Sequence, residues 1–286
     1  MMTLRILCMA LALLAATDAG ARKPQRLAAP VAVCADMGKT DALKAAGAGG
    51  IECGVSAFLV PDKPAAVFEA NLQRLRASGL KMVSCNGFLP SSMTVVGPAP
   101  KHDQILVWAD TAFRRAAAAG IPYIVFGSGG ARRVPEGFAR EQAVEQFVQL
   151  CRRLGPIAAR YGVTVVIEPL NSRETNLVNS VTEGADIVRR TGHKNIRLLC
   201  DIFHMAAESE SPQAIVDAGK YIRHCHVAEA ARRTPPGVDG DDFRPYFRAL
   251  RKIGYKGAVS IECIWKDFDR QLPVAVETLR GQMDDL

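Results

Sequence analysis

Four residues of the types that bind metal ions or move protons stand at the ends of four consecutive apolar runs. Val-Thr-Val-Val-Ile leads to Glu168, Ile-Arg-Leu-Leu-Cys to Asp201, His224-Cys225 to His226, and Ser260-Ile261 to Glu262. Three carboxylates and an imidazole gathered at one point would repel and desolvate one another unless a cation stood among them. A divalent ion of the Mn2+, Mg2+ or Co2+ type suits that oxygen-rich set, and Zn2+ remains possible. Each residue alone also has a structural reading. Glu168 could be a solvated strand end, Asp201 a cap for the following turn, and His226 a core histidine with a satisfied ring. The metal reading rests on the four together, and it requires a fold that brings four strand ends to one place.

The rest of the sequence supplies such a fold. Apolar runs alternate with amphipathic segments. Strands are expected over 31–37, 50–56, 80–88, 121–127, 163–170, 196–204, 222–228 and 258–264, with helices over 40–49, 64–79, 102–120, 138–161, 181–192, 212–221, 243–254 and 273–283. Gly79, Gly120, Gly162, Gly192 and Gly254 each close a helical stretch, where a left-handed backbone favours glycine. The strands read as continuously apolar, as strands buried on both faces do. Eight β-then-α units in a chain of this length predict an α/β fold, a single closed (β/α)8 barrel of about 250 residues. An open doubly wound sheet is disfavoured, because no G-x-G-x-x-G turn follows the first strand. The longest loops, 89–101 and 229–242, follow strands, on the side where barrels build active sites.

Of the 286 residues, 49% are apolar and 23% charged, an ordinary globular balance. Residues 1–21 read as a secretory signal peptide: Arg5, a short apolar run over 6–16, then small residues, with cleavage expected after Ala19 or Ala21. The barrel would occupy 22–286, and the protein would be exported, to the periplasm, with no stable membrane insertion once the leader is removed. Net charge is +7, but the basic residues are scattered as pairs such as Arg132-Arg133 and Arg232-Arg233, mostly on expected helices, so no nucleic-acid partner is expected. Eight cysteines in an exported chain would suggest disulfides. Most lie inside apolar runs, though, so mainly free, buried thiols are expected, with one bridge at most.

Several stretches carry a resemblance: Ile167-Glu168-Pro169-Leu170-Asn171 with Glu174 and Asn179-Ser180; Cys200-Asp201-Ile202-Phe203-His204-Met205; His224-Cys225-His226-Val227-Ala228-Glu229 with Arg232 and Pro236-Gly237; and Ile253-Gly254-Tyr255-Lys256-Gly257 leading to Ser260-Ile261-Glu262. In these the chain resembles the xylose isomerase-like barrel superfamily, in particular the sugar phosphate isomerase/epimerase group that includes ketose 3-epimerases and hydroxypyruvate isomerase. The similarity runs from about Val31 to the C-terminus and is strongest after residue 160.

The resemblance implies one divalent metal ion, Mn2+ foremost, on Glu168, Asp201, His226 and Glu262, and a small-molecule sugar substrate. It makes Glu168 and Glu262 the acid/base pair on opposite faces of that substrate, acting through an enediolate. His204 and Arg232 would bind substrate oxygens, Glu174 a terminal hydroxyl, and Glu52 would hydrogen-bond in the mouth or serve structurally. Asn176 stands where close epimerases often carry His, and Ala230-Ala231 replace residues that are often polar. These departures, with the leader, leave the sugar and its phosphorylation open, and homo-oligomers are compatible with the sequence.

Three other activities share the pattern. Enediolate chemistry could cleave 3-keto-glycosides by elimination. A non-catalytic sugar-binding barrel would not need carboxylates on both faces. A phosphodiesterase of the abasic-site endonuclease kind needs several metals and histidines from early strands, and none of the five histidines ends strands two to four.

Overall fold

The computed structural model describes residues 26–286, so the expected leader over 1–21 lies outside the described residues. Eight strands form one closed parallel barrel: β1 (Val31–Cys34), β2 (Gly50–Gly54), β3 (Met82–Asn86), β4 (Tyr123–Phe126), β5 (Thr164–Ile167), β6 (Ile196–Asp201), β7 (Ile222–Val227) and β8 (Val259–Ile261). β8 closes on β1 through the register Val31 with Val259 and Val33 with Ile261. Around the strands lie α1 (Thr40–Ala45), α2 (Ala65–Ser78), α3 (His102–Ala118), α4 (Arg140–Arg160), α5 (Val181–Thr191), α6 (Ile202–Ala207), α7 (Gln213–Ala218), α8 (Arg244–Lys252) and α9 (Phe268–Asp284). The fold is the single (β/α)8 barrel expected. Among the described residues no helix is long and apolar enough to cross a membrane.

Local chemistry sets the boundaries. α5 begins at Ser180, whose hydroxyl accepts from the Glu183 amide at 3.0 Å, while Glu183 reaches back to the Asn179 amide at 2.8 Å. This reciprocal cap is worth about 1 kcal/mol. Gly192 ends the helix at φ +70°, which L side chains adopt only under strain. Several expected strand ends fall about three residues early, as at Cys34, Ile167 and Ile261, and two boundaries move for a visible local reason. The sixth strand was expected to run to His204, but Asp201 accepts hydrogen bonds from the Phe203 and His204 amides and starts a helix there instead. The last helix was expected to begin at Pro273. It begins five residues earlier, where the Asp267 side chain caps it, and Pro273 sits inside it.

Strand and helix layers meet in an apolar shell. Phe88 stacks on Phe113 of α3 at 5.6 Å, and Phe126 packs edge-on to Phe88 and to Phe147 of α4, both at 5.2 Å. Such pairs add about 0.5–1.5 kcal/mol each beyond burial, and they fix two helices against β4. The barrel interior differs from expectation. Residues two apart share a strand face, and only the β4–β6 side of that interior is apolar, through Val125, Val166 and Leu199. The opposite side carries Glu52, Ser84, His224, His226 and Ser260, all fully buried. Seven thiols from Cys34 to Cys263 are free, so among the described residues there is no disulfide.

Candidate functional site

At the C-terminal ends of the strands, Glu168, Asp201, His226 and Glu262 each offer a ligand atom, and the four atoms lie within 4.8 Å of one another. The barrel register explains the approach. Asp201 of β6 and His226 of β7 are direct partners, and Glu168 and Glu262 follow immediately on β5 and β8. A register shift between Leu198 and Leu199 precedes Asp201, the kind of irregularity that re-aims side chains beside active sites. At the end of the neighbouring strand β4, Gly127 leaves the space Glu168 needs: a Cβ there would lie 2.2 Å from Glu168 Oε2.

His226 is the hub. Its Nδ1 lies 3.0 Å from Glu168 Oε1 and 3.4 Å from Glu262 Oε2, and its Nε2 lies 3.0 Å from Glu52 Oε1. One nitrogen thus faces the cluster, while the other is held by a carboxylate from behind, the usual support of a metal-bound imidazole. Asp201 divides its work. Oδ1 caps α6, and Oδ2 is buried with no partner. An unsatisfied buried carboxylate oxygen beside two further carboxylates is costly without a counter-charge. The donor set and this orphaned oxygen fit a divalent cation held by the four residues.

His204 accepts the Asn171 side-chain and backbone N–H groups at Nδ1, at 2.8 and 3.2 Å. Its proton is therefore on Nε2, which has no partner and lies 3.5 Å from Asp201 Oδ2. It is a free donor beside the cluster. Asn171 also donates to Glu174 Oε1 at 3.1 Å, so Glu174 stands at the rim.

One expected substrate contact is placed differently, and another takes the structural one of its two expected roles. Arg232 points to solvent, its side chain 68% exposed, and pairs with Asp239. Arg233 takes the mouth position: Nη2 lies 2.5 Å from Glu262 Oε2, Nη1 3.2 Å from Glu174 Oε1, and the guanidinium sits 4.8 Å over the Phe203 ring. The cause is the loop after β7. The buried Glu229 carboxylate accepts from the Gly237, Asp239, Gly240 and Asp241 amides and the Thr234 hydroxyl. Arg233 has a left-handed backbone in this loop, with φ +54°. Glu52, expected in the mouth or in a structural role, lies fully buried behind His226. It accepts from Ser84 Oγ at 2.6 Å, and its Oε2 lies 2.8 Å from His224 Nε2.

Electrostatics separate the carboxylates. Burial and then the charge of Glu262 raise Glu168. Burial also pushes Glu262 upward, but His226 and Arg233 outweigh it and pull Glu262 down to about 2. Burial opposes ionisation of Glu52 too, yet His226 and His224 hold it well below the ordinary carboxylate range.

Other residues of the site escaped the sequence reading. Asn86, at the end of β3, donates to Glu262 Oε1 at 2.9 Å. Arg132, read as part of a scattered basic pair, is fully buried after β4 and donates to the Phe126 and Glu168 carbonyls at 3.1 and 2.8 Å. Beside the cluster opens a cavity of about 360 Å³, lined by Cys34, Asp36, Lys39, Glu52, Asn86 and Trp265 among others. A larger cavity of about 570 Å³ lies at the other end of the barrel, against Lys81, Pro122 and Lys256, and neither cavity is lined by any of the four cluster residues.

Comparison with known proteins agrees with this architecture. D-psicose 3-epimerase of Ruminiclostridium cellulolyticum is 36% identical over 119 residues, covering 41% of this chain and 40% of that enzyme. 3-Dehydro-D-guloside 4-epimerase of Escherichia coli is 31% identical over 112 residues, 39% of this chain and 42% of that enzyme. Each alignment therefore spans less than half of the relative's length. The crystal structure of D-psicose 3-epimerase from Clostridium cellulolyticum superposes with a TM-score of 0.79 over 90% of this chain and all of that one, at 20% identity, and so shares the fold. A family model matches residues 40–282, and the chain belongs to the xylose isomerase-like TIM barrel family.

Proposed function

We propose that the protein is a metal-dependent isomerase or epimerase of a ketose or keto-sugar derivative. The observation that carries this reading is the placement of Glu168 and Glu262 on either side of His226 Nδ1, at 3.0 and 3.4 Å. Sugar-epimerase relatives support it. A divalent cation bound by the four residues, Mn2+ foremost, would draw electrons from the substrate's oxygens and acidify the neighbouring C–H.

The chain's own residues supply the rest. Of Glu168 and Glu262, one takes the proton next to the carbonyl and leaves an enediolate, and the other returns a proton to the opposite face, or to the neighbouring carbon for isomerisation. The His204 Nε2–H donates to a substrate oxygen, and Arg233 adds positive charge at the rim. Glu174 sits where a terminal hydroxyl would end.

A second reading shares this chemistry and has its own observation. The mouth cavity, lined by the cluster's neighbours Glu52 and Asn86, reaches Trp265, whose buried Nε1–H has no partner. That space suits a second ring, so a keto-glycoside is a substrate class to test, with elimination as one outcome.

The test is solvent exchange. Protein loaded with Mn2+ is incubated in D2O with free ketoses and 3-keto-glycosides and read by NMR and mass spectrometry. Metal-dependent deuterium beside the carbonyl, lost in Glu262→Gln, is expected. Loss of an aglycone would identify elimination. Absence of exchange across the panel would reject the isomerase reading in favour of a binding protein.

A further inference from the structure

Cys34 plays no part in the reaction proposed above, yet it sits against that machinery. It ends β1, is the register partner of Glu52, and lines the mouth cavity, so a solute ion can reach it. Its thiol lies 3.8 Å from Asn86 Nδ2. Its sulfur, a Glu52 carboxylate oxygen and a His226 ring nitrogen lie within 4.8 Å of one another. The nitrogen turned toward Glu52 is Nε2, whereas Nδ1 faces Glu168 and Glu262. The two edges of one imidazole therefore look onto two donor sets of different character, one of three carboxylates, the other of a thiol and a carboxylate.

Ligand softness separates them. Carboxylates favour Mg2+ and Mn2+, whereas a thiolate with an imidazole favours zinc-like ions. Metal–ligand bonds of about 2.0–2.3 Å bring donors to roughly 3.5 Å from one another, so small side-chain shifts would close the second set around an ion. Three protein ligands leave a fourth position for water.

We propose that Cys34, Glu52 and Nε2 of His226 form a second cation site that takes a thiophilic divalent ion of the Cd2+ or Zn2+ type, and that filling it empties the neighbouring centre. The ion replaces the thiol proton, which goes to solvent, and takes the lone pair of Nε2. The proton that Nε2 held toward Glu52 goes to solvent and one is taken up at Nδ1, which can then no longer bind the ion held by Glu168, Asp201 and Glu262. Glu52 becomes a ligand instead of the brace that fixes the ring. The antagonism rests on the metal-centre reading above; the second site itself does not.

The test uses the full chain, stripped of metal and titrated with Cd2+ while the ultraviolet thiolate-to-cadmium charge-transfer band is followed. Wild type is expected to gain the band at one equivalent. Cys34→Ser and Cys34→Ala lose it, and Cys263→Ser, lacking the other half-exposed thiol among the described residues, keeps it. Circular dichroism of the variants separates loss of the site from loss of the fold. A band that never forms, or that persists in folded Cys34 variants, overturns the site. Protein preloaded with Mn2+ is then given Cd2+ and read by the spin-resonance signal of released Mn2+. Release in wild type and its loss in Cys34→Ser support the antagonism, and a formed band with Mn2+ fully retained overturns it. If Mn2+ never binds, the metal-centre reading fails, while the band still decides the second site.

Discussion

Arg233, in the loop after β7, turns in to Glu262 at the end of the adjacent β8, its Nη2 standing 2.5 Å from Oε2, while its neighbour Arg232 faces solvent. Adjacent arginines therefore have opposite assignments. Arg233→Ala is expected to lower turnover by roughly 10²-fold, the scale of losing one preorganised donor or charge at a reacting centre. Arg232→Ala breaks an exposed, solvent-screened pair and should leave turnover within a few-fold. Steady-state kinetics on a substrate identified by solvent exchange decide it, and equal losses in both variants would refute the placement.

Glu52 fixes the far edge of the His226 ring. Its replacement in Glu52→Gln should weaken Mn2+ binding by about 10–100-fold, as removal of an outer carboxylate does at other metal sites. Calorimetric titration measures this directly. Activity should return as Mn2+ is raised, because the four first ligands remain. Loss of turnover with unchanged Mn2+ affinity would instead give Glu52 a direct part in the chemistry.

Gly127→Ala tests the space behind Glu168. A Cβ would stand 2.2 Å from Glu168 Oε2, so the carboxylate must move. Loss of solvent exchange and weaker Mn2+ binding are expected with the circular dichroism of the barrel intact. Full activity in this variant would show that Glu168 can work from another position.

Arg132→Met probes the floor beneath the same residue. It strips hydrogen bonds from the carbonyls of Phe126 and Glu168; the first keeps the Glu168 amide at 3.2 Å, while the second is a buried acceptor left unpaired, at a cost of about 1–3 kcal/mol. Denaturant unfolding should show a loss of that order or more, far beyond what a surface arginine would produce. A change under 1 kcal/mol would mean that the carbonyls find other donors.

Acid pH should loosen the rim at Glu208. The backbone amide and then the hydroxyl of Ser172 bond its carboxylate and hold it below the ordinary value. A carboxyl lowered in the folded state stabilises above its unfolded pKa, and that contribution fades as pH falls toward the folded value. Wild type and Glu208→Gln should therefore differ in Ser172 amide exchange at neutral pH and converge in acid. A difference that grows on acidification would contradict the assignment.

How much of this was legible beforehand depended on what each position rests on. Strand ends converge in any closed parallel barrel, so residue type and place in the chain sufficed to name Glu168, Asp201, His226 and Glu262 as candidates, and the structure gathers them. Arg232 and Arg233 differ by one position in a loop whose path is set by contacts to Glu229 up to twelve residues away, and no local pattern reveals which of the two turns inward. Arg132 looked like a surface charge because its partners are backbone carbonyls, which leave no mark on side-chain sequence. Asn86 ends a strand as an unremarked polar residue, and its partner Glu262 lies 176 residues further on. The polar inner face was hidden for a related reason. Its histidines and Glu52 bond across the barrel, so burial and polarity coincide there, contrary to what apolar runs suggest.

The Glu229 carboxylate behaves as a template for the loop around it. It gathers four amides and a hydroxyl within one buried anion, so most of the loop's shape is specified by main-chain groups that every residue type but proline carries. Side chains such as Ala230, Ala231 and Val238 can then be exchanged without redirecting Arg233. That separation of shape from composition makes the segment a natural place to graft new substrate preferences onto an unchanged reaction, provided Glu229 itself is left alone.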